Sequence, residues 1–271
     1  MVPHGYVIDG KKPTVYVYDH SLYVKDNIIL KVEGDFVKKA SIYNKILKIL
    51  ILFSTGYATL MMLHWPLGFT FFTQLSNLYS AACIGCQLLI LKSNKETCGQ
   101  PYRRIIYIWK YTAVVSILLT FLVYLCFLAP VMPGGFIAAY TQDHCASLCM
   151  HILTPALMLA DFFLNDRDYD WSTVHASIAL IPPLCYLLFL LLLGQRGLRW
   201  GGNMKMMAPY PFLNYGAPAG WFGYMPETAG YTSLGIGVFY LLILLFLLIW
   251  VLGTLILRIA VFLHKSHDCF M

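Results

Sequence analysis

The sequence predicts an all-α integral membrane protein: a six-transmembrane-helix bundle behind a short N-terminal cytoplasmic segment with β-like patterning. Three observations carry this. Hydrophobic residues make up 59% of the 271-residue chain and charged residues only 12%, with mean hydropathy +0.67, where a soluble domain carries about 25% charged residues. Apolar runs of about 20 residues, the length that crosses a bilayer core, recur along the chain. Much of the basic charge behind the net +6 sits beside those runs, where membrane topology places it, so the charge implies no nucleic acid partner.

Residues 1–40 form the first segment and 41–271 the transmembrane domain. The first long apolar run begins near Ile46, too late and too long for a cleaved signal. Within the segment, 14–18 (TVYVY) and 22–32 (LYVKDNIILKV) are rich in β-branched and aromatic residues, with turn signals at 19–21 and 26–27, which predicts short strands. From 35 to 48 the pattern turns helical, with Lys38, Lys39, Lys45 and Lys48 placed to meet cytoplasmic headgroups.

The six spans fall at 42–63, 69–91, 105–128, 144–164, 174–193 and 234–263. His64 to Gly68 (HWPLG) makes the first connection a tight helical hairpin. The connection at 92–104 holds Lys92, Lys95, Arg103 and Arg104, and 129–143 holds no basic residue. With the lysine-rich N-terminus, this predicts a multi-pass protein of the cell membrane with both termini cytoplasmic. The connections 165–173, with one Arg against three Asp, and 195–233, with Arg196, Arg199 and Lys205, run against that orientation.

The second span opens with FTFFTQLSNLYS (69–80), which places Thr70, Thr73, Gln74, Ser76, Asn77 and Ser80 where a lipid-facing helix carries Leu or Val. At roughly 100° per residue, Thr73, Asn77 and Ser80 share one side, with Ser76 beside them. Polar groups in a bilayer cost free energy unless paired or lining a cavity, so the cluster is a candidate site. Its structural alternative is hydroxyls bonding their own helix carbonyls, with Asn77 joining two helices.

The fourth span, HCASLCMHILTPALMLADFF, supplies a second polar set. His144 and His151, seven apart, are predicted nearly in line, with Thr154 and Asp161 close to the same side. Counting inward from the same membrane face, Thr73 and His151 differ in depth by only ~5 Å. A threonine hydroxyl becomes a useful nucleophile when a base takes its proton, and histidine is the usual base near neutral pH. Thr73 and His151 are therefore the candidate catalytic pair, with Ser76 and Asn77 as hydrogen-bond donors to substrate or oxyanion. Asp161 lies about 15 Å along the axis from His151, too far for a triad. It is read as a buried polar pair with His175, tying spans four and five together.

The stretches FFTQLSNLYS, LTFLVYLCFLAPVMPGG (119–135), MHILTPALMLADFF (150–163) and YPFLNYGAPAGWFGY (210–224) together resemble a family of uncharacterised bacterial six-span membrane proteins. That family distantly resembles the androgen-induced and androgen-dependent membrane threonine hydrolases of animals. The resemblance covers about residues 46–263. It implies hydrolysis of fatty acid esters of hydroxy fatty acids, with the nucleophile falling on Thr73 and the histidine on His151, ahead of Pro155.

Cys83 and Cys86 lie about 15 to 20 Å in depth from Cys145, so they do not share a four-ligand site with it. No metal and no cofactor is expected. The aromatic and proline-rich connection 195–233 is read either as an interfacial anchor or as a lid above Thr73 and His151. The expected function is hydrolysis of a lipid-like ester, a small-molecule substrate arriving from the membrane lipids. The alternative from another class is a transporter or a lipid- or ligand-binding membrane protein, which requires a polar path between the two clusters.

Overall fold

The structure is a computed structural model, described here for residues 15–18, 21–24, 28–92, 100–141, 143–166, 173–202, 204–224 and 235–268. The chain divides into two compact units, Met1–Leu47 and Lys48–Met271. The first holds an antiparallel hairpin of β1 (Val15–Tyr18) and β2 (Ser21–Val24), with Val15 opposite Val24 and Tyr18 opposite Ser21. β2 is shorter than the strand predicted for 22–32, because helix α1 (Ile28–Met61) has already begun. Helical pairing of successive backbone groups replaces strand pairing there. The turn signals at 19–20 and 26–27 lie outside the described residues, as do 93–99 of the basic connection, 167–172 of the acidic one, and 225–234.

The second unit is helical. After α1 the chain turns through Pro66–Thr70 into α2 (Phe72–Lys92), then α3 (Gln100–Val123), which continues as a π-helical turn, Tyr124–Leu128. Two short helices, α4 (Gly135–Thr141) and α5 (Ala146–Leu148), lead to a second π-turn, Cys149–Leu153, and α6 (Thr154–Asn165). A 3-10 stretch, Thr173–Leu180, precedes α7 (Ile181–Gln195), and α8 (Val238–Asp268) closes the unit. Proline explains that junction, since Pro182 and Pro183 fall at the start of α7, where the missing N–H costs nothing. A proline pair inside the predicted span 174–193 thus marks a helix boundary.

Against six predicted spans, four helical stretches among the described residues are long and apolar enough to cross a membrane: Arg104–Leu128, Asp143–Asn165, His175–Gln195 and Val238–Leu263. Together they mark an all-α, multi-pass membrane protein. The helices standing at the other two predicted spans, α1 and α2, fall short of that standard. α1 carries Asn44, Lys45, Lys48, Ser54, Thr55 and Thr59, and α2 opens with Thr73, Gln74, Ser76 and Asn77. Several of these side chains bond to other helices, so both helices spend on internal contacts the positions a plain lipid-facing span fills with leucine.

α3 is the hub. It packs against α2, α6, α7, α8 and the 173–180 stretch, and Tyr111, Ala113, Val114, Val115 and Ile117 on it are fully buried. α8 crosses it closely at Gly253, where a Cβ would run into the Tyr111 hydroxyl. Outward, Ile181, Leu184, Leu188 and Leu192 line one face of α7, and Ile243, Leu247 and Leu255 are exposed on α8. Exposed apolar faces on helices of this length suit contact with lipid tails.

Candidate functional site

The predicted working face lies at the start of α2, and a distant segment holds it. The first N–H groups of a helix lack intrahelical partners. The Thr73 N–H finds one in the Tyr210 hydroxyl at 3.2 Å, and Thr73 Oγ1 stands 3.3 Å from the same hydroxyl. One turn earlier, Trp200 Nε1 donates to Thr70 Oγ1 at 2.8 Å and the Tyr186 hydroxyl donates to the Thr70 carbonyl at 3.0 Å. Trp200, Ala208, Tyr210, Phe212 and Leu213 are buried. The 196–224 connection is thus packed inward onto the end of α2, with only parts of it, such as Phe222 and Tyr224, exposed. Burial pushes the Tyr210 phenol above the ordinary tyrosine range, so it stays a protonated donor.

His151 sits in the second π-turn, 5% exposed, and its ring stacks on Tyr124 with centroids 3.6 Å apart and planes 11° from parallel. Tyr124 opens the first π-turn. Its hydroxyl donates to the Ala139 carbonyl at 2.6 Å and accepts from Ser147 Oγ at 2.9 Å. A π-turn inserts one residue into the helical ladder and re-aims its side chains, a device frequent at functional sites. The predicted alignment of His144 with His151 fails for a related reason. Asp143, His144 and Cys145 take φ of 52°, 54° and 65°, a left-handed excursion that breaks the helix before His151. Each such non-glycine residue costs on the order of 1 to 3 kcal/mol. The Tyr57 hydroxyl, donating to the His144 carbonyl at 2.6 Å, helps hold the turn.

Thr73 and His151 line one cavity of about 250 Å³, together with Gln74, Tyr124, Asp143, Ser147 and Tyr210 and an apolar wall that includes Phe71, Leu128, Met132 and Met150. The side-chain partner of Thr73 is Tyr210, and His151 Nδ1 is buried without a hydrogen bond. Asn77 Nδ2 donates to the Thr73 carbonyl at 2.8 Å and to the Met150 carbonyl at 3.4 Å, tying the first turn of α2 to the residue preceding His151. Ser76 Oγ donates to the Thr73 carbonyl and pairs with Thr120 Oγ1, both at 3.0 Å. The two residues read as oxyanion donors are therefore engaged with neighbouring helices and backbone. Gln74 Nε2 donates to Thr59 Oγ1 at 2.8 Å, while Gln74 Oε1 is buried without a partner.

The second polar set is an ionic cluster further along α6. Asp161, expected to pair with His175, receives Lys48 Nζ on both carboxylate oxygens at 2.8 and 2.9 Å, and Lys110 Nζ and Asn165 Nδ2 as well. Lys110 also forms an ion pair with Asp166. Lys48, expected among headgroups, is only 3% exposed because it reaches inward to this carboxylate. His175 is buried in the 173–180 stretch, which packs on α8. Between the two polar regions, Ser54 and Thr154 hydroxyls pair at 2.8 Å.

Sequence reading passed over Lys110 and gave Tyr210 only an interfacial or lid role. Lys110 had a signal, being a lone cation inside a long apolar run. Tyr210 had none, because its partner lies 137 residues away. Among the described residues, no group of three or more His, Cys, Asp or Glu side chains is arranged to hold a metal ion. No family model, no curated protein and no solved structure matches the chain.

Proposed function

We propose that the protein is an intramembrane hydrolase of lipid-like esters, with Thr73 as nucleophile and His151 as base. The observation that supports this is the cavity of about 250 Å³ that Thr73 and His151 both line, with largely apolar walls, together with a His151 Nδ1 that is buried without a hydrogen bond. Tyr210 supports it. Its hydroxyl accepts from the Thr73 N–H, leaving its own proton for Thr73 Oγ1, so the threonine proton is free for a base.

In the proposed cycle, Thr73 Oγ1 attacks the ester carbonyl carbon while His151 takes the hydroxyl proton. The ester C–O bond breaks and the alcohol leaves with that proton. Water, deprotonated by His151, then cleaves the acyl-threonine, releasing the carboxylic acid and restoring the hydroxyl. Stacking on Tyr124 fixes the imidazole ring during both steps. The orientation proposed from loop charge, with both termini cytoplasmic, puts this cavity toward the outer leaflet.

Transport is the weaker reading. It draws on the ionic cluster and on the Ser54–Thr154 pair lying between that cluster and the cavity. Met158, fully buried on the same face of α6 between Thr154 and Asp161, interrupts a polar path.

The test is labelling of purified protein by a fluorophosphonate probe in wild type, Thr73→Ala and His151→Ala, with folding checked for each. Labelling of wild type alone supports the hydrolase. Equal labelling of Thr73→Ala excludes Thr73 as nucleophile, and inert wild type together with no turnover of any lipid ester excludes hydrolysis.

A further inference from the structure

Resting on the reading above, we infer that the substrate is an acyl ester of a neutral polyol, its free hydroxyls held by the polar wall of the cavity. Among the described residues, and apart from the Thr73 proton kept for the base, the buried hydrogen-bonding capacity left open in that wall is acceptor capacity. Gln74 Oε1 and His151 Nδ1 are buried without partners. The Tyr124 and Ser147 protons are already committed, to the Ala139 carbonyl and to Tyr124. A buried acceptor left unpaired costs about 1 to 3 kcal/mol, which a ligand donor recovers.

Charge narrows the class further. The cavity lining contains one carboxylate, that of exposed Asp143, and no lysine or arginine among the described residues. An anionic head would meet a like charge and open acceptors, with no cation to offset its desolvation. A cationic head is disfavoured more deeply in, because Gln74 and His151 are 2% and 5% exposed and an ammonium loses its water there without a counter-ion. A hydroxyl group donates to Gln74 Oε1 and carries no charge, leaving His151 Nδ1 to the Thr73 proton, and the apolar wall of Phe71, Leu128 and Met132 receives the chain. The strained left-handed turn holds Asp143 at the cavity despite its backbone cost, as expected for a residue with a selective role.

The experiment uses the full chain in detergent, as the Thr73→Ala variant so that no ester is consumed. Binding of monooleoylglycerol, oleate and oleylamine, which share one chain length, is compared at neutral pH by displacement of a fluorescent amphiphile. Monooleoylglycerol is expected to bind about tenfold or more tightly than oleate, the cost of roughly one unmet charged contact. Gln74→Leu is expected to weaken it about tenfold, with Gln74→Met as the variant to use if Leu impairs folding. Asp143→Asn is expected to improve oleate binding and narrow the ratio. Oleate binding as tightly as monooleoylglycerol overturns the inference, as does oleylamine binding tightest or a ratio untouched by Asp143→Asn. Selective binding with no turnover by wild type would instead overturn the hydrolase and leave the ligand class standing. Turnover with oleate preferred would do the reverse.

Discussion

Two polar regions lie in one helical bundle, and they differ in how completely they are paired. In the ionic cluster each carboxylate meets an ammonium: Asp161 holds Lys48 and Lys110, and Lys110 also holds Asp166. In the cavity, Gln74 Oε1 and His151 Nδ1 have no partner, and three residues in succession hold a left-handed backbone beside them. Buried polar groups are costly unless satisfied. A closed network therefore marks a device that joins helices, here α1, α3 and α6. In the proposed reading, the open one is where the ligand binds. Had polarity alone been the criterion, the ionic cluster would have ranked first as the working site.

The largest expected effect comes from breaking the closed network. Lys110→Met leaves Asp166 and half of the Asp161 pairing unbalanced, and is expected to cost about 3 to 5 kcal/mol of stability. Lys48→Met removes a cation from a carboxylate that keeps Lys110, so it costs less. Thermal unfolding in detergent ranks the two, and a Lys110→Met protein as stable as wild type would end the structural reading of the cluster. Thr73→Ala sharpens the contrast from the other side. It is expected to lower ester turnover by about a thousandfold or more while leaving the unfolding temperature nearly unchanged. Parallel loss of stability and turnover would blur the distinction between the regions.

Tyr210→Phe comes next, with turnover falling on the order of a hundredfold, since it removes the hydroxyl that both caps α2 and bonds Thr73. Because burial holds that phenol above its ordinary range, it remains a donor as pH rises past ~10, and the wild-type rate should show no loss at the ordinary tyrosine value. A pH–rate profile falling there would show an accessible phenol instead. The smallest effect is expected for Ser54→Ala, which breaks one hydroxyl pair between α1 and Thr154 and costs about 0.6 kcal/mol. A drop as large as that of Lys110→Met would extend the structural network to the edge of the cavity.

Much of the site was legible one helix at a time. The spacing of Thr73, Asn77 and Ser80 announced a polar face, and depth counting placed Thr73 and His151 at similar levels. They do line one cavity. What failed were inferences across a break or between helices. His144 stands in line with His151 only on an unbroken helix, and the left-handed turn at 143–145 removes it. Level along the bundle pairs Asp161 with His175, whereas Lys48 and Lys110 reach it from α1 and α3.

By itself the sequence determined the membrane class and the polar face of α2, while placing six spans where four stretches among the described residues meet the length and hydropathy of a span. These follow from local quantities: the length of an apolar run and the 3.6-residue period of a helix. The tertiary structure alone decided that α1 and α2 would spend polar residues on internal bonds, that Tyr210 would cap Thr73 from 137 residues away, and that π-turns would bring Tyr124 and His151 into a stack. Periodicity fixes the angle of a side chain about its own axis. Which neighbour that side chain meets depends on how the helices pack, and that is set by the bundle as a whole.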